Sequence, residues 1–232
     1  MTRMMRQLAR WHIWLGWLVG VPLLLWTVTG LVMVVRPIEE VRGTDRLIER
    51  PAQPLPPDTR IAVALPAATT KPVLSVTTAV ESGETVTRIA YADGTSARFR
   101  ADGSAMAPLS EIEARMIVAA GVRGGDRVAG SRRFAAEAVP FDFRKPMPVW
   151  QVVLEDGTNV YVGTETGRIE AVRTRWWRFY DTMWGLHIMD LQTREDTHHP
   201  LLIGFAALSM LGVLMGCVLL FRRRRAGPRG AR

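Results

Sequence analysis

The chain has 232 residues, of which 48% are hydrophobic, with a formal net charge of +8 and one cysteine. All 22 acidic residues lie between Glu39 and Asp196, together with 20 of the 30 basic ones, so this middle part has a charge near −2. The excess positive charge is confined to the two ends, which argues against a nucleic-acid-binding domain. A single cysteine excludes a fold held together by intramolecular disulfide bonds.

Two hydrophobic segments, residues 13–35 and 201–221, contain no charged residue. Each matches the ~20 residues that an α-helix needs to cross a hydrocarbon core of ~30 Å. A cleaved signal peptide is the alternative for the first, but its apolar core is usually ~7–15 residues and precedes a small-residue cleavage site. Here the segment ends in Val-Val-Arg-Pro. We therefore predict two transmembrane helices, at residues 13–35 and 200–221.

Basic residues flank both predicted spans and indicate their orientation. They are Arg3, Arg6, Arg10 and Arg36 around the first, and Arg222 to Arg225, Arg229 and Arg232 after the second. Such residues mark the cytoplasmic side and interact with anionic lipids. Arg36 lies beyond the first span and weakens the argument there, whereas Arg222 to Arg225 make it strong for the second span. We predict a multi-pass protein of the bacterial inner membrane, with cytoplasmic termini at residues 1–12 and 222–232 and a periplasmic central domain. Cys217 is expected to be a packing residue in the second span.

The first residues after span one, 36–57, predict an extended tether, because they include the prolines Pro51, Pro54, Pro56 and Pro57. An α+β domain is predicted from Asp58 to residue 174. Alternating apolar residues between Gly-containing turns predict antiparallel strands at residues 73–80, 85–92, 96–100, 127–134, 149–155, 159–163 and 168–173. Ser110 followed by Glu113 forms a capping-box pattern, which predicts a helix that runs to about Ala120.

A short sequence recurs within this domain. The triplet Asp-Gly-Thr occurs at residues 93–95 and again at 156–158, an offset of 63, and each copy precedes a second turn, at 102–103 and 166–167. This recurrence suggests that the domain is a duplication of one small α/β unit. Chance repetition of a common turn sequence is the alternative.

Aromatic residues at three- and four-residue steps predict an amphipathic helix, with a following loop, over residues 175–199. The stripe consists of Trp177, Tyr180, Trp184, His187 and Leu191. It suits either the lipid head-group layer or packing on the sheet. Residues 194–196, Arg-Glu-Asp, predict a solvated loop, with lipid or partner contact as the alternative.

Several motifs together resemble the PepSY-domain membrane proteins that carry PepSY-associated transmembrane helices. Residues 10–16 (Arg-Trp-His-Ile-Trp-Leu-Gly) and 26–30 (Trp-Thr-Val-Thr-Gly) are similar to the family's first span. Residues 149–169 resemble the closing hairpin of a PepSY domain, and Trp-Gly-Leu-His at 184–187 resembles the approach to the next span. The likeness covers about two thirds of the chain.

The resemblance implies a periplasmic PepSY domain anchored in the inner membrane. Larger relatives with four spans look like haem-carrying reductases for ferric siderophores, and other PepSY domains are regarded as peptidase-inhibitory modules. Because this chain has only two spans, half of a four-helix bundle is missing. A bundle function would therefore need a homodimer or a partner membrane subunit.

Four histidines lie near the predicted span ends and are the candidate cofactor ligands: His12, His187, His198 and His199. A b-type haem in a membrane bundle commonly needs two facing imidazoles. His12 lies roughly 30 Å across the bilayer from the other three, so it cannot share an iron with them in one chain. As alternatives, His12 is an interfacial residue among tryptophans, and the pair His198 and His199 is a polar helix entry or an adventitious metal site.

The chain has no nucleophile with a base, no phosphate-binding glycine loop and no CxxC motif. We therefore expect no catalytic residues and no activity from the chain alone, although it could act as a subunit of a membrane oxidoreductase. The leading hypothesis is an accessory or electron-transfer subunit, with or without b-type haem, in iron, siderophore or redox metabolism. The alternatives are a periplasmic module that binds a peptide or restrains a protease, and a lipid-level structural protein.

Overall fold

The computed structural model describes residues 3–49, 51–57, 71–81 and 83–225, with side chains up to Phe221 in the last helix. The predicted domain start at Asp58 and the basic tail beyond residue 225 lie outside the described residues. The chain divides into two compact units. One consists of Met1–Pro37 and Phe179–Arg232, and the other of Ile38–Arg178.

The first unit is built on two long helices, α1 (Arg3–Val34) and α5 (Pro200–Arg225). Both are long and apolar enough to cross a membrane. Leu15 lies opposite Gly212 and His12 lies opposite Gly216, so the numbering rises along one helix as it falls along the other. The helices are therefore an antiparallel pair, and most of their apolar side chains face outward, as lipid-facing residues do.

The second unit is an α+β domain with two antiparallel sheets. The first sheet has the order β1 (Val73–Glu81), β2 (Glu84–Tyr91), β3 (Ser96–Arg100), and the second has the order β4 (Val128–Phe134), β5 (Val149–Leu154), β6 (Asn159–Gly163), β7 (Ile169–Arg173). Helix α2 (Ile38–Arg42) precedes the first sheet, and α3 (Glu111–Gly121) lies between the two in the chain. The predicted α+β fold is confirmed, and each strand ends within one residue of its prediction.

Helix α3 packs on the four-stranded sheet and forms the main core of the domain. Its residues Ala114 and Val118 are fully buried with Val152, Val160 and other apolar residues of the sheet. The predicted capping box is confirmed. The Ser110 hydroxyl accepts a hydrogen bond from the backbone N–H of Glu113, and the Glu113 carboxylate accepts one from the backbone N–H of Ser110 at 2.7 Å.

The recurring Asp-Gly-Thr sequence adopts the same turn at both places. In the first copy the backbone N–H of Tyr91 donates to the carbonyl of Thr95, and in the second Leu154 donates to Thr158. In each copy the aspartate side chain also accepts a 2.9 Å hydrogen bond from the threonine N–H. The match therefore extends to hydrogen bonding, while the duplication itself stays a prediction.

The predicted tether comprises residues 36–57, but its first half is folded onto the domain. Residues 38–42 form α2, and Thr44–Arg46 form a 3-10 turn. Val41 is almost completely buried, and Leu47 forms an isolated β-bridge with Val122. The extended prediction was wrong here because these apolar side chains find partners in the domain. The proline-containing residues 51–57 form no helix or strand.

An ion pair and a glycine secure this segment. The Arg46 guanidinium lies 2.7 Å from the carboxylate of Asp156. Burial raises the pKa of Asp156, but hydrogen bonds from Thr158 and Arg46 outweigh it and lower that pKa overall. Gly43 has a positive φ of 69°, and a Cβ there would lie 2.9 Å from Cγ1 of Val172. This position therefore needs glycine both for its backbone conformation and for close packing.

Candidate functional site at His187

A polar face interrupts the apolar surface of α1 near its C-terminal end. Trp26, Thr29 and Gly30 lie three and four residues apart, so they share one face of the helix. Thr29 is only 1% exposed. Its hydroxyl lies 2.9 Å from the carbonyl oxygen of Trp26 and 3.0 Å from that of Leu25, so the helix backbone satisfies its proton.

His187, the last residue of α4 (Arg175–His187), lies on this face. Its Nδ1 is 3.0 Å from the Thr29 hydroxyl oxygen and 3.1 Å from the carbonyl oxygen of Trp26. The imidazole stacks on the Trp26 indole with ring centroids 4.7 Å apart. A Cβ on Gly30 would lie 3.1 Å from Cε1 of His187, so glycine provides the space for the ring. We call Trp26, Thr29 and Gly30 the His187 seat.

The contacts of His187 with its seat indicate which ring nitrogen of the imidazole carries the proton. A carbonyl oxygen can only accept, so Nδ1 at 3.1 Å from Trp26 O is favourable only when Nδ1 carries the proton. The neutral ring then has its lone pair on Nε2. Within the described part of the chain, Nε2 makes no hydrogen bond. A histidine whose Nδ1–H donates to a backbone carbonyl while Nε2 is open has the arrangement that metal- and haem-ligating histidines use.

Buried polar contacts hold the segment that carries His187. The carboxylate of Asp181, which is 5% exposed, forms a 2.7 Å ion pair with Arg194, and the Trp184 indole N–H donates to the Arg194 carbonyl at 3.0 Å. The predicted solvated loop at residues 194–196 was therefore wrong for Arg194. The hydrophobic pattern of the sequence could not reveal this contact, because the buried partner, Asp181, is a polar residue of the preceding helix, α4.

The loop after His187 is organised around Asp190, which is 7% exposed. Its carboxylate accepts hydrogen bonds from the Thr193 hydroxyl and from the backbone N–H groups of Gln192, Thr193, Glu195 and Asp196. The bond from the Thr193 hydroxyl is the largest cause that lowers the pKa of Asp190, and burial opposes it. The carboxylate thus replaces the backbone partners that an irregular loop lacks.

His12 lies at the other end of α1, against α5. A Cβ on Gly216 would lie 3.1 Å from Cε1 of His12, so the two helices approach closely there. The Nδ1 of His12 is buried and has no hydrogen-bond partner among the described residues. His12 and Trp26 are fourteen residues apart, about 21 Å along the helix at 1.5 Å per residue. His12 is therefore closer to His187 than the expected 30 Å, because His187 stacks on α1 two turns before the end of that helix. The distance between the two histidines still prevents them from sharing one iron.

The other two histidines lie just before α5. His198 is exposed, and its Nδ1 is 3.4 Å from the Thr197 hydroxyl. His199 is partly buried, and its Nδ1 has no hydrogen-bond partner in the described part of the chain. No described contact joins either residue to His187, and the described residues contain no group of three or more metal-ligating side chains.

The sequence pointed to His187 but not to its seat. Trp26, Thr29 and Gly30 belong to a motif used only for the family resemblance, and no periodicity placed them against a histidine 158 residues later. The available signal was Thr29 itself, because a polar side chain within an apolar span usually has a specific partner.

One of three comparisons with known proteins gave a match. The family model described as "PepSY-associated TM region" matches residues 9–232. Neither the curated proteins nor the solved structures gave a match to the chain.

Proposed function

Since the chain belongs to the family of PepSY-associated transmembrane proteins, we propose that it is a membrane electron-transfer or accessory subunit that binds b-type haem through His187. The match covers the first candidate span from residue 9 onward, the second candidate span, and the domain between them in the chain. It supports a membrane-anchored PepSY protein. The haem is a proposal that draws on the geometry of His187.

The open Nε2 of His187 carries this proposal. The seat fixes the tautomer through Trp26 and the ring orientation through stacking, as the surroundings of a ligating histidine do. Here Nδ1 of His187 is held by hydrogen bonds, and Nε2 makes none with the described residues. A histidine that only stabilised a helix contact would form hydrogen bonds through both ring nitrogens where partners are available. When bound there, haem would supply one-electron transfer at a potential set by its axial ligands.

A second imidazole must come from outside this arrangement. His12 is too distant, and no described contact brings His198 or His199 to His187. We propose that a second copy of the chain, or a partner membrane subunit, supplies it. The α1 surface around Gly16 and Gly20 supports such an assembly, because no atom lies within 4 Å of a Cβ built on either glycine, and small residues let helices approach closely.

The proposed location is the bacterial inner membrane, with both termini in the cytoplasm and residues 58–174 in the periplasm. The basic residues at the two chain ends support this orientation, since cytoplasmic flanks carry excess lysine and arginine. In this orientation the His187 seat would lie toward the periplasmic side. Iron or siderophore reduction is the proposed context, consistent with the family.

The absorption spectrum of the purified full-length protein tests the proposal. The protein should be expressed with excess haem precursor and extracted in mild detergent. We expect a Soret band, with sharp α and β bands after reduction by dithionite, as six-coordinate b-type haem gives. Colourless protein that remains folded by circular dichroism would contradict haem binding and leave only the membrane-anchored PepSY assignment.

A further inference from the structure

A cleft lined by several polar side chains lies between the two sheets of the α+β domain. Its volume is about 150 Å³. The first sheet contributes Ser75, Thr77, Arg88 and Ser96, and the turn and strand of the second contribute Thr166, Arg168 and Glu170. Ser75 and Thr77 pair with Ala90 and Arg88 across β1 and β2, so these side chains share one face of the sheet. The cleft is therefore lined by hydroxyl groups, two arginines and Glu170, and Ile89 and Ala90 form its apolar part.

Arg88 is a buried cation with a spare donor group. The residue is only 8% exposed. Its Nε donates to the carbonyl oxygen of Thr166, and its Nη2 forms an ion pair with Glu81. The Nη1 group is buried and has no partner among the described residues. A guanidinium has five N–H donors, so a buried Nη1 with both donors unused is unusual and costly unless a ligand accepts them.

Arg168 adds a second positive charge at the same cleft. It is exposed, and its guanidinium makes no hydrogen bond or ion pair with the described residues. Burial is the main cause that lowers the pKa of Arg88, Glu81 opposes it, and the charge of Arg168 lowers it further. The positive charge of Arg168 near Arg88 thus makes anion binding at the cleft electrostatically more favourable.

The acidic residue of the cleft is already neutralised. The Glu170 carboxylate accepts from Lys145 at 3.0 Å and from the Thr166 hydroxyl at 2.8 Å. Glu81 is likewise committed to Arg88. The uncommitted charge at the cleft is therefore positive, and its uncommitted neutral groups include the Ser75, Thr77 and Ser96 hydroxyls, of which none has a described hydrogen bond.

From this arrangement we propose that the cleft is a binding site for a carboxylate, held by Nη1 of Arg88 and the guanidinium of Arg168. The planar fork of an arginine matches a carboxylate, and charge-assisted hydrogen bonds are the stronger class. The cleft volume holds a carboxylate with a short stem. The site is independent of the haem proposal, because it lies wholly within the α+β domain.

The carboxylate could belong to a peptide or to a small organic acid. β1 is the edge strand of its sheet in the described residues, and it carries Ser75 and Thr77 at the cleft. An unpaired strand edge can add an extended peptide through backbone hydrogen bonds. A peptide whose carboxylate enters the cleft could therefore gain both interactions, whereas a free organic acid would gain only the charged ones.

Calorimetric titration of the full-length protein in nanodiscs tests the site. The probes are succinate, a short peptide with a free carboxyl terminus, and the same peptide with an amidated terminus. The variant is Arg168→Gln, whose exposed side chain makes the fold insensitive to the change. Arg123→Gln removes the same charge from another exposed arginine of the domain, outside the cleft, and is the matched control.

We expect the wild-type protein and the Arg123→Gln control to bind at least one carboxylate probe, and Arg168→Gln to bind it at least tenfold more weakly. Tighter binding of the free peptide than of succinate, lost on amidation, would identify a peptide terminus. Equal binding of both would identify a small carboxylate. The proposal is overturned if neither carboxylate probe binds at millimolar concentration, or if Arg168→Gln binds as tightly as the wild-type protein.

Discussion

The imidazole of His187 lies parallel to the indole of Trp26, with the ring planes inclined by only 15°. The two residues are 161 positions apart in the sequence, so this contact joins the C-terminal end of α4 to the face of α1. Stacking fixes the plane of the ring, and the Trp26 carbonyl fixes its tautomer. The same residue thus determines which nitrogen is available and where it points.

The Thr29 hydroxyl should position His187 without being a ligand itself. Thr29→Val removes the hydroxyl but keeps the shape, so Nδ1 would lose one of its two partners. We expect roughly tenfold weaker haem retention, which is the lower range for outer-shell partners of ligating histidines. The haem-to-protein ratio after dialysis measures this. Thr29→Ser restores the hydroxyl and should behave as the wild-type protein, and equal retention in the valine variant would show that the hydroxyl is dispensable.

Gly216 should matter for the α1–α5 pair, whereas Gly204 should not. A Cβ on Gly216 meets the His12 ring at 3.1 Å, but nothing lies within 4 Å of one on Gly204. Alanine is the better helix former, so Gly204→Ala should be neutral or slightly stabilising. We expect Gly216→Ala to lower the thermal unfolding midpoint in detergent relative to Gly204→Ala. Equal midpoints would mean that the two helices do not rely on close approach at His12.

Gly43 should be required for attachment of the segment before the domain. Both Gly43 and Gly94 have positive φ, but only Gly43 is packed, 2.9 Å from Val172 for an added Cβ. Gly94→Ala should cost about 1 kcal/mol, since left-handed conformation is unfavourable for a residue with a Cβ. Gly43→Ala should cost more in the free energy of unfolding by urea. A smaller cost at Gly43 than at Gly94 would contradict the observed packing against Val172.

The loop after His187 should depend on ionised Asp190. In the folded protein the pKa of Asp190 lies below its ordinary value of 3.8. The stabilisation of the loop by this carboxylate is therefore fully present above pH ~4 and is lost as pH falls through the folded pKa of Asp190. Hydrogen exchange of residues 191–196 measures it. At pH 7, Asp190→Asn should exchange roughly tenfold faster than the wild-type protein, because an amide oxygen accepts these bonds more weakly.

Asp196→Asn is the control in the same loop, since Asp196 has a single described acceptor role, from the His198 N–H. Its exchange rates at residues 191–195 should match those of the wild-type protein. Equal exchange in the Asp190 and Asp196 variants would show that the loop does not depend on the Asp190 carboxylate.

Local signals were enough to predict most of the α+β domain. Asp-Gly turns and alternating apolar residues defined the strands, and the Ser110–Glu113 box defined the start of α3, because each signal acts over a few residues. The folded segment before the domain was missed because its partners lie more than 100 residues later, Val172 against Gly43 and Asp156 against Arg46. Four prolines nearby suggested an extended chain, yet they act only where they occur, at residues 51–57.

The candidate site was predicted only in part for the same reason. Histidine is an obvious candidate ligand in a membrane protein, so His187 was named from the sequence alone. Its seat required two distant segments to meet, and a single sequence carries no measure of that distance. The cleft at Arg88 was missed altogether, because an arginine within a strand of alternating residues looks like a solvent-facing residue until its burial is known.

Imidazole rescue of a His187→Gly variant tests most directly whether His187 is a haem ligand. In haem-replete membranes we expect this variant to lose the Soret and α-band absorption of the wild-type protein, and we expect free imidazole to restore both, because the imidazole occupies the space left on the Trp26 face. His198→Gly, treated in the same way, should keep its spectrum. An unchanged spectrum in His187→Gly without imidazole would contradict the assignment of His187 as the ligand.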